Sequence, residues 1–298
     1  MQQTKPMGPA IAEPLFRRPL VCGHHGVVGR CIFRHLQGFG FESVSGFDTK
    51  ESPSLADLSV LVTEQKPDVV FLALPTPTAS PPAPSSYDTS AIRSVLRVLA
   101  EVSAQSLFDG IVIVNSTVTP GTCERLASET KLRIVHNPEF LSQKTSFEDY
   151  ANQKEIFIGK TTTASTADGE RLSGFMRALF PGANVSVCDA TTTEATKIFC
   201  NAFYASKVQL CTEFFLMCRA MCPEDPDAYD KVVGNMLRLG WIHPMHTRVP
   251  GHDGHVSFGG ACFPKDIRAC VAFAVSLGTT ADALKGVVSS HEKTRNSE

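Results

Sequence analysis

Residues 19–29 read PLVCGHHGVVG, a short apolar strand that runs into a turn with glycines at 23, 26 and 29. A strand, a glycine-spaced turn and a helix are the elements that hold a dinucleotide pyrophosphate at the helix N-terminus. Gly26 and Gly29 occupy the second and third positions of the GxGxxG pattern, whereas His24 falls on the first. The turn by itself leaves two interpretations open, a coenzyme site and an ordinary strand–helix turn.

The end of the next strand favours the coenzyme interpretation. Asp48 lies there, 19 residues after Gly29. A carboxylate at about this distance binds the adenosine ribose hydroxyls and repels a 2′-phosphate. We therefore predict that the chain binds NAD rather than NADP, and that the contacts come from Gly26, Val27, Val28, Gly29 and Asp48.

Apolar strands and helical stretches alternate from residue 19 to residue 188. This order is typical of a parallel sheet with helices on both faces, so we predict a Rossmann-type, doubly wound α/β domain over 19–188. Residues 1–18 are Pro-rich and lack the basic and apolar regions of a signal peptide, and we expect them to form a disordered tail.

The pattern changes after Asp189. Residues 191–222 contain neither proline nor glycine and are apolar on most faces, which predicts one long helix. A helix that is apolar nearly all round must be buried, either in a core or between subunits. We predict a mostly helical domain over 189–298, built on this central helix.

Composition excludes several classes of protein. A net charge of -2, from 28 basic and 30 acidic residues, argues against nucleic acid as the main partner. No apolar run is long enough for a transmembrane helix, so we expect no membrane association. The ten cysteines show no paired Cys/His spacing, and most lie in apolar runs. We therefore expect buried thiols in a reducing, cytoplasmic compartment and no metal site.

One cysteine differs from the rest. Cys262 lies in SFGGACFPKD (257–266), where two glycines allow a ligand to approach the backbone. Pro264 and Asp266 suit the first turn of a helix. A helix N-terminus and the neighbouring Lys265 both favour the thiolate, so Cys262 is a candidate nucleophile, with a buried, inert thiol as the alternative.

At this point the sequence resembles the nucleotide-sugar 6-dehydrogenases, the UDP-glucose and GDP-mannose dehydrogenase family. FGGACFPKD resembles the active-site cysteine motif of that family, and the other similar segments are FLALPTPT (71–78), NSTVTPGT (115–122), NPEFL (137–141) and EATKIFCNAFYASK (194–207). The segments follow the family order and cover residues 20 to about 295.

The resemblance implies oxidation of a sugar C6 alcohol to a carboxylate with two NAD, through a thiohemiacetal and a thioester on Cys262. The implied catalytic residues are Cys262, Lys197, Asp266, Glu139, Asn201 and Thr117. Further coenzyme contacts are implied for Thr76, Pro77, Thr117, Gln143 and Lys265, and substrate contacts for Glu139, Phe140, Leu141, Lys197, Asn201, Phe258 and Gly259. A homodimer packed through the helix over 191–222 is implied as well.

Lys197 would stabilise a developing oxyanion, and Asp266 would orient or activate water with it. Glu139 would serve as the acid/base in thioester hydrolysis, with Thr117 positioning the water. Lys197 and Asn201 are four residues apart, so they share one helix face and can hold one substrate together.

Three features depart from the family pattern. Ser142-Gln143 follows NPEFL where the family usually carries an Arg-like residue and then Glu, so acid/base chemistry falls on Glu139 alone. His24 replaces the first glycine of the turn. The chain ends about where the family's nucleotide-gripping domain begins. Either a compact form binds the substrate with fewer contacts, or a partner supplies them, or activity is reduced. The loop HTRVPGHDGHVSF (246–258), which holds Arg248 and three histidines that include His252, is a candidate for replacing the phosphate contacts.

The sequence thus predicts an NAD-dependent dehydrogenase of a nucleotide sugar, with UDP-glucose as the first choice of substrate. Two alternatives stay open. One is a dehydrogenase of the same superfamily that acts on another activated sugar. The other is a non-catalytic NAD-binding protein that retains the fold.

Overall fold

The computed structural model describes residues 15–79, 87–142 and 144–296. Within the described residues the chain divides into two compact units, one made of 15–77 and 87–197 and the other of 78–79 and 198–296. Of the predicted N-terminal tail, only residues 15–18 lie in the described part. Phe16 there is fully buried and its ring contacts that of Phe175, so the folded chain begins before residue 19.

The first unit contains a seven-stranded sheet in the order β2-β1-β3-β4-β5-β6-β7. The strands are β1 (Pro19–Cys22), β2 (Ser45–Phe47), β3 (Val69–Leu72), β4 (Ile111–Val114), β5 (Arg133–His136), β6 (Glu155–Lys160) and β7 (Asn184–Asp189). Strands β1 to β5 are mutually parallel, as predicted. Strand β6 runs antiparallel to β5, so the sheet is mixed rather than wholly parallel.

The antiparallel step has a simple origin. A parallel return needs a crossover that covers the sheet, usually a full helix. The described residues between β5 and β6 form only the short helix α5 (Ser146–Ala151), so the chain turns back and β6 starts at the end of the sheet where β5 finishes.

Helices cover both faces of the sheet. They are α1 (Val27–Leu36), α2 (Leu55–Gln65), α3 (Ser90–Ala104), α4 (Thr122–Thr130) and α6 (Thr166–Leu179), with α5 named above. Successive strand residues point to opposite faces, so Val70 and Leu72 join one buried cluster while Val69 and Phe71 join the other. Burial on both faces explains why the strands are continuous apolar runs.

The strand order fixes where a ligand binds. Strand β1 pairs with β2 on one side and with β3 on the other, so the order reverses between β1 and β3. In an open α/β sheet, ligands bind outside the carboxyl ends of the strands at such a reversal. The turn after β1 and the loop after β3 lie at this point.

Helix α7 (Ala190–Met221) is one continuous helix, as the sequence predicted for 191–222. It begins where β7 ends, and Asp189 caps it by accepting a hydrogen bond from the backbone N–H of Thr192. The second unit continues with α8 (Ala228–Arg238), α9 (Phe263–Ser276) and α10 (Asp282–Arg295).

Helix α10 was not predicted, because its sequence is polar and buries a single residue, His291. A buried cluster of the second unit includes Cys211, Cys218 and Tyr229. Within the described ranges, no helix combines the length and apolar character needed to cross a bilayer.

Candidate active site

The turn between β1 and α1 is built on its three glycines. Gly23 adopts φ +87°, and a Cβ there would lie 2.3 Å from the carbonyl oxygen of Ala73. A Cβ on Gly29 would lie 2.1 Å from the carbonyl oxygen of Gly23. Gly23 therefore makes the tight turn that the sequence pattern assigned to the position of His24, and a side chain at 23 or 29 would push the segments apart.

The N-terminus of α1 suits an anion. Gly26 is its N-cap, and no side chain of the described residues caps it. The first N–H groups of the helix carry a partial positive charge and suit a phosphate. Val27 is exposed beside them, while Val28 packs against the core and Gly29 is buried.

Asp48 stands next to this turn. Its carboxylate accepts hydrogen bonds from the backbone N–H groups of His25, at 3.1 Å, and Lys50, at 3.0 Å. Burial alone would raise the pKa of Asp48. These hydrogen bonds and the imidazoles of His24 and His25 outweigh burial and leave the pKa below its ordinary value. The side chain is therefore ionised at neutral pH.

Side-chain hydrogen bonds join the loops after β3 and β4. The hydroxyl of Thr76 donates to the main-chain oxygen of Thr117 at 2.8 Å. The hydroxyl of Ser116 accepts from the backbone N–H of Leu74 and lies within 2.8 Å of its carbonyl oxygen. Pro77 follows Thr76 in the same loop and is exposed.

Side-chain hydrogen bonds of Asn115 and Asn137 connect the loop after β4 to the loop after β5. The amide of Asn115 donates to the main-chain oxygen of Asn137 at 2.9 Å, and that of Asn137 donates to the carbonyl of Phe157. The motifs NSTVTPGT and NPEFL contained Asn115, Ser116 and Asn137, yet sequence reasoning gave those residues no role. They fix the loops that carry Thr117 and Glu139.

Glu139 and Lys197 form a largely buried ion pair. The ammonium of Lys197 lies 3.2 Å from Oε1 of Glu139 and also donates to its main-chain oxygen. The other carboxylate oxygen of Glu139 accepts from the N–H of Leu141 at 2.8 Å. The ring of Phe140 lies 5.2 Å from the Lys197 ammonium. Lys197 is thus not a surface charge of the helix.

Two further buried polar residues belong to β5 and α7, the elements next to this pair in the chain. His136 ends β5, and its Nδ1 lies 2.8 Å from the hydroxyl of Thr193. Burial, followed by the charge of Lys197, lowers the pKa of His136 to about 3, so the imidazole is neutral. Glu194 is fully buried and accepts hydrogen bonds from the N–H groups of Gly121 and Cys123 at the start of α4.

Glu194 thus caps a helix from within α7. Burial raises its pKa above the ordinary value, although these N–H donors oppose the rise. Sequence reasoning quoted Glu194 only as a letter of the EATK motif. A carboxylate near the start of a helix that the sequence predicts to be buried was the signal that could have found it.

In the second unit, Cys262 is the N-cap of α9 and is exposed, so the alternative of a buried, inert thiol does not hold. Pro264 lies in the first turn, as predicted. Gly260 adopts φ +76°, which a larger residue would strain. At Gly259, a Cβ would lie 2.5 Å from the guanidinium of Arg295, so that close packing shapes the loop before the cysteine.

Asp266 and Asn201 meet directly. The side-chain amide of Asn201 donates to Oδ2 of Asp266 at 2.6 Å, and the ammonium of Lys265 lies 2.7 Å from Oδ1. Asp266 is 1% exposed, so its carboxylate is fixed in place by these two donors. Phe258 is also buried, stacked on the ring of His291 with centroids 3.8 Å apart.

The remaining predicted site residues are exposed or lie outside the described part of the chain. Arg248 and His252 are exposed in the loop before Cys262. Ser142 is exposed, and Gln143 lies outside the described residues. The phosphate role of Arg248 and His252 and the coenzyme role of Gln143 stay predictions.

Comparison with known families matches most of the chain. Residues 56–175 match the family model described as "UDP-glucose/GDP-mannose dehydrogenase family, NAD binding domain". Residues 191–293 match the model of the central domain of the same family.

Several curated proteins are similar in sequence. UDP-glucose 6-dehydrogenase of Rickettsia conorii is 28% identical over 236 residues, which are 77% of this chain and 50% of that protein. The Pseudomonas aeruginosa enzyme is 29% identical over 74% of this chain and 47% of its own length. UDP-glucose 6-dehydrogenase 3 of Arabidopsis thaliana is 29% identical, over 67% and 41%. The chain spans about half the length of the curated relatives it matches.

Solved structures share the fold. A UDP-glucose dehydrogenase from Pyrobaculum islandicum superposes with a TM-score of 0.72 at 24% identity, over 95% of this chain and 69% of that chain. A 3-hydroxyisobutyrate dehydrogenase from Mycobacterium tuberculosis gives 0.67 at 17% identity, over 93% of each. At such identities the likeness establishes the fold and no more.

Proposed function

The chain belongs to the UDP-glucose/GDP-mannose dehydrogenase family, and on that premise we propose that it oxidises the C6 alcohol of a nucleotide sugar to a carboxylate with NAD. UDP-glucose is the proposed substrate, since the similar curated proteins carry that name. The observation that carries the proposal is the exposed thiol of Cys262 at the N-cap of α9, directly after two glycines.

The first unit fits the coenzyme. A side chain would fill the space at Gly23 and Gly29, and the N-terminus of α1 is open to a pyrophosphate. Asp48 is ionised and suits ribose hydroxyls, while its charge disfavours a 2′-phosphate. Gly26, Val27, Val28, Asp48, Thr76, Pro77 and Thr117 would hold NAD, with Lys265 as a further proposed contact. NAD, when bound, supplies the hydride acceptor for each two-electron oxidation.

Cys262 acts on the aldehyde that the first oxidation produces. Its sulfur forms a bond to C6, the carbonyl π electrons move to oxygen, and protonation gives a thiohemiacetal. Loss of a hydride and a proton from this group gives a thioester. Water then adds to the thioester, the C–S bond breaks, and the products are the carboxylate and the free thiol. The sum is one alcohol and one water converted to one carboxylate, with two hydrides removed and three protons released.

The polar side chains of the site have distinct proposed roles in these steps. Lys197 provides positive charge for the oxyanions that form at C6. Glu139 exchanges the proton of the attacking water, and Thr117 helps to position that water. Asn201 fixes the carboxylate of Asp266 through the 2.6 Å hydrogen bond, so that Asp266 can orient water or a sugar hydroxyl. Phe140, Leu141, Phe258 and Gly259 are proposed substrate contacts.

We also propose a homodimer that packs through α7. In the described chain this helix exposes Phe203, Met217 and Met221 by 67%, 55% and 70%. Such a run of apolar side chains on one helix is typical of a subunit interface. Six of the ten cysteines are buried, which is typical of thiols that pack as small apolar side chains in a reducing, cytoplasmic compartment.

The experiment measures NADH formation by the chain with UDP-glucose and with a panel of other nucleotide sugars. Cys262→Ser should abolish turnover. Cys222→Ser is the matched control, because Cys222 is the other exposed cysteine, and it should retain activity. Turnover with another sugar only would favour the first alternative. NAD binding without turnover of any member of the panel would contradict the proposal and favour a non-catalytic protein.

A further inference from the structure

Two neighbouring histidines and a glutamate come together beside the coenzyme turn. His24 and His25 follow β1, and Glu51 lies in the turn after β2. His24 Nε2 lies 3.4 Å from one carboxylate oxygen of Glu51, and His25 Nε2 lies 2.6 Å from the other. One ligand atom from each residue lies within 4.8 Å of the other two, which singles this trio out among the described residues.

We propose that His24, His25 and Glu51 bind a divalent transition-metal ion such as Zn²⁺. Zinc accepts imidazole nitrogens and carboxylate oxygens at about 2.0–2.2 Å, with three protein ligands and a water in open sites. Tetrahedral ligands at those bond lengths are about 3.3 Å apart. The three ligand atoms already lie within 4.8 Å of one another, so small side-chain movements bring them to that spacing around an ion.

The state of the imidazoles supports a ligand at this place. The side chain of His24 is 10% exposed, so its ring is buried beside the carboxylate of Glu51. His25 Nε2 is likewise buried and forms no hydrogen bond, although Glu51 Oε1 is close. The imidazole nitrogen of His25 therefore has no hydrogen-bond partner among the described residues and is available to a metal ion. Buried polar atoms in a folded protein are otherwise nearly always paired.

The surrounding charge also favours a cation. Asp48 lies within electrostatic reach of both imidazoles, and its carboxylate holds the backbone of His25 through a hydrogen bond of 3.1 Å. The carboxylates of Asp48 and Glu51 together place two negative charges next to the imidazoles, which favours a cation. The ring of His24 is held against Gly46, where a Cβ would lie 2.8 Å from its Nδ1, so His24 is fixed in place before an ion binds.

The donor set defines the class of metal. Two imidazoles suit zinc, cobalt, nickel or copper, whereas magnesium and calcium need mainly oxygen ligands. Spacing along the sequence does not predict this site. Adjacent histidines are not a recognised ligand spacing, and Glu51 reaches them only because β1 and β2 are neighbouring strands.

The test is calorimetric titration of the untagged chain with ZnCl₂ and with MgCl₂. One equivalent of zinc should bind and magnesium should not. Glu51→Gln and His25→Gln should each weaken zinc binding at least tenfold. Both residues are partly exposed, at 59% and 38%, so these substitutions should leave the fold intact, and circular dichroism checks that they do.

A second histidine-containing region provides the matched control. His252 and His255 are exposed in the loop before Cys262, and the double substitution H252Q/H255Q should leave zinc binding unchanged. The proposal is overturned if the wild-type chain binds no zinc at tens of micromolar. It is overturned equally if Glu51→Gln binds zinc as the wild type does, or if only the His252/His255 variant loses binding. These outcomes do not depend on dehydrogenase activity.

Discussion

The ammonium of Lys197 lies 3.2 Å from Oε1 of Glu139, and the two side chains are only 6% and 14% exposed. Helix α7 supplies the cation and the loop after β5 supplies the anion, so the pair also ties these two elements together. A charge this deeply buried is costly to leave without its partner.

Replacement of one member should therefore destabilise the fold. We expect Lys197→Met to lower the free energy of unfolding by about 3 kcal/mol, because it leaves the Glu139 carboxylate unpaired. The double variant K197M/E139Q should regain part of that loss. Lys231→Met, which breaks the exposed pair with Asp225, should cost much less than Lys197→Met, because solvent screens the exposed pair. Urea denaturation of the four proteins measures all these differences, and equal losses in the single and double variants would show that the charges are not coupled.

The acid/base role of Glu139 predicts a trapped intermediate. An amide at this position accepts and donates hydrogen bonds but does not exchange a proton near neutral pH. We expect Glu139→Gln to slow thioester hydrolysis more than oxidation, so that a sugar-acid adduct accumulates on Cys262. Mass spectrometry of the protein after reaction with UDP-glucose and NAD detects the added mass.

The double variant E139Q/C262S should carry no such adduct. An adduct on another cysteine, or Glu139→Gln turning over at the wild-type rate, would contradict the role proposed for Glu139.

Gly29 offers a test of the coenzyme turn. A Cβ at this position would lie 2.1 Å from the carbonyl oxygen of Gly23, which is main chain and cannot move without opening the turn. We expect Gly29→Ala to weaken NAD binding at least tenfold and to lower the melting temperature. A Cβ on Gly286, inside α10, would meet no described atom within 4 Å, and Gly286→Ala should be neutral or stabilising by up to about 1 kcal/mol. Calorimetric titration with NAD measures the affinity of both variants. Equal affinities would contradict the prediction that close packing at Gly29 is needed for NAD binding.

The sequence predicted the sheet and its parallel strands because each strand is a continuous apolar run between turn residues. It also predicted α7, since 32 residues without proline or glycine form one helix. It missed α10, whose only buried residue is His291, because a polar helix has no apolar stripe to read. The antiparallel entry of β6 depends on how a connection crosses the sheet, which local residue patterns do not contain.

The predicted site residues show a similar division. Motif position located Glu139, Lys197, Asn201 and Asp266, and the structure adds their partners: Lys197 pairs with Glu139, and Asn201 with Asp266. Such pairs join segments far apart in the chain, so spacing along the sequence could not define them. The same holds for Glu194, which caps α4 from within α7.

The neutral His136 predicts a pH dependence of stability. Burial and the charge of Lys197 lower its pKa to about 3, whereas an unfolded histidine has a pKa of about 6.5. Between these values the unfolded chain binds a proton at this residue and the folded chain does not. The contribution of His136 to stability is therefore present above pH 6.5 and is lost as the pH falls, by up to about 1.4 kcal/mol per pH unit.

His136→Gln should reduce this slope between pH 7 and pH 5. Val135→Ala, at the neighbouring buried position, should lower stability at every pH and leave the slope as in the wild type. Urea denaturation at several pH values gives both slopes, and an unchanged slope in His136→Gln would rule out the assigned protonation behaviour.

The exposed face of α7 gives the last prediction. Phe203, Leu210 and Met217 are seven residues apart, so they form one stripe along the helix, and they are 67%, 50% and 55% exposed. If two chains bury this stripe against each other, light scattering should give twice the chain mass of 32.2 kDa. Phe203→Glu places a charge in that interface and should give the mass of one chain.

Leu239→Glu is the control, because Leu239 is 72% exposed but lies outside α7. It should leave the dimer intact. A wild-type monomer, or a dimer that Leu239→Glu dissociates and Phe203→Glu does not, would place the subunit contact elsewhere. The stripe would then need another explanation, because exposed apolar side chains in a continuous row are rare on a monomer surface.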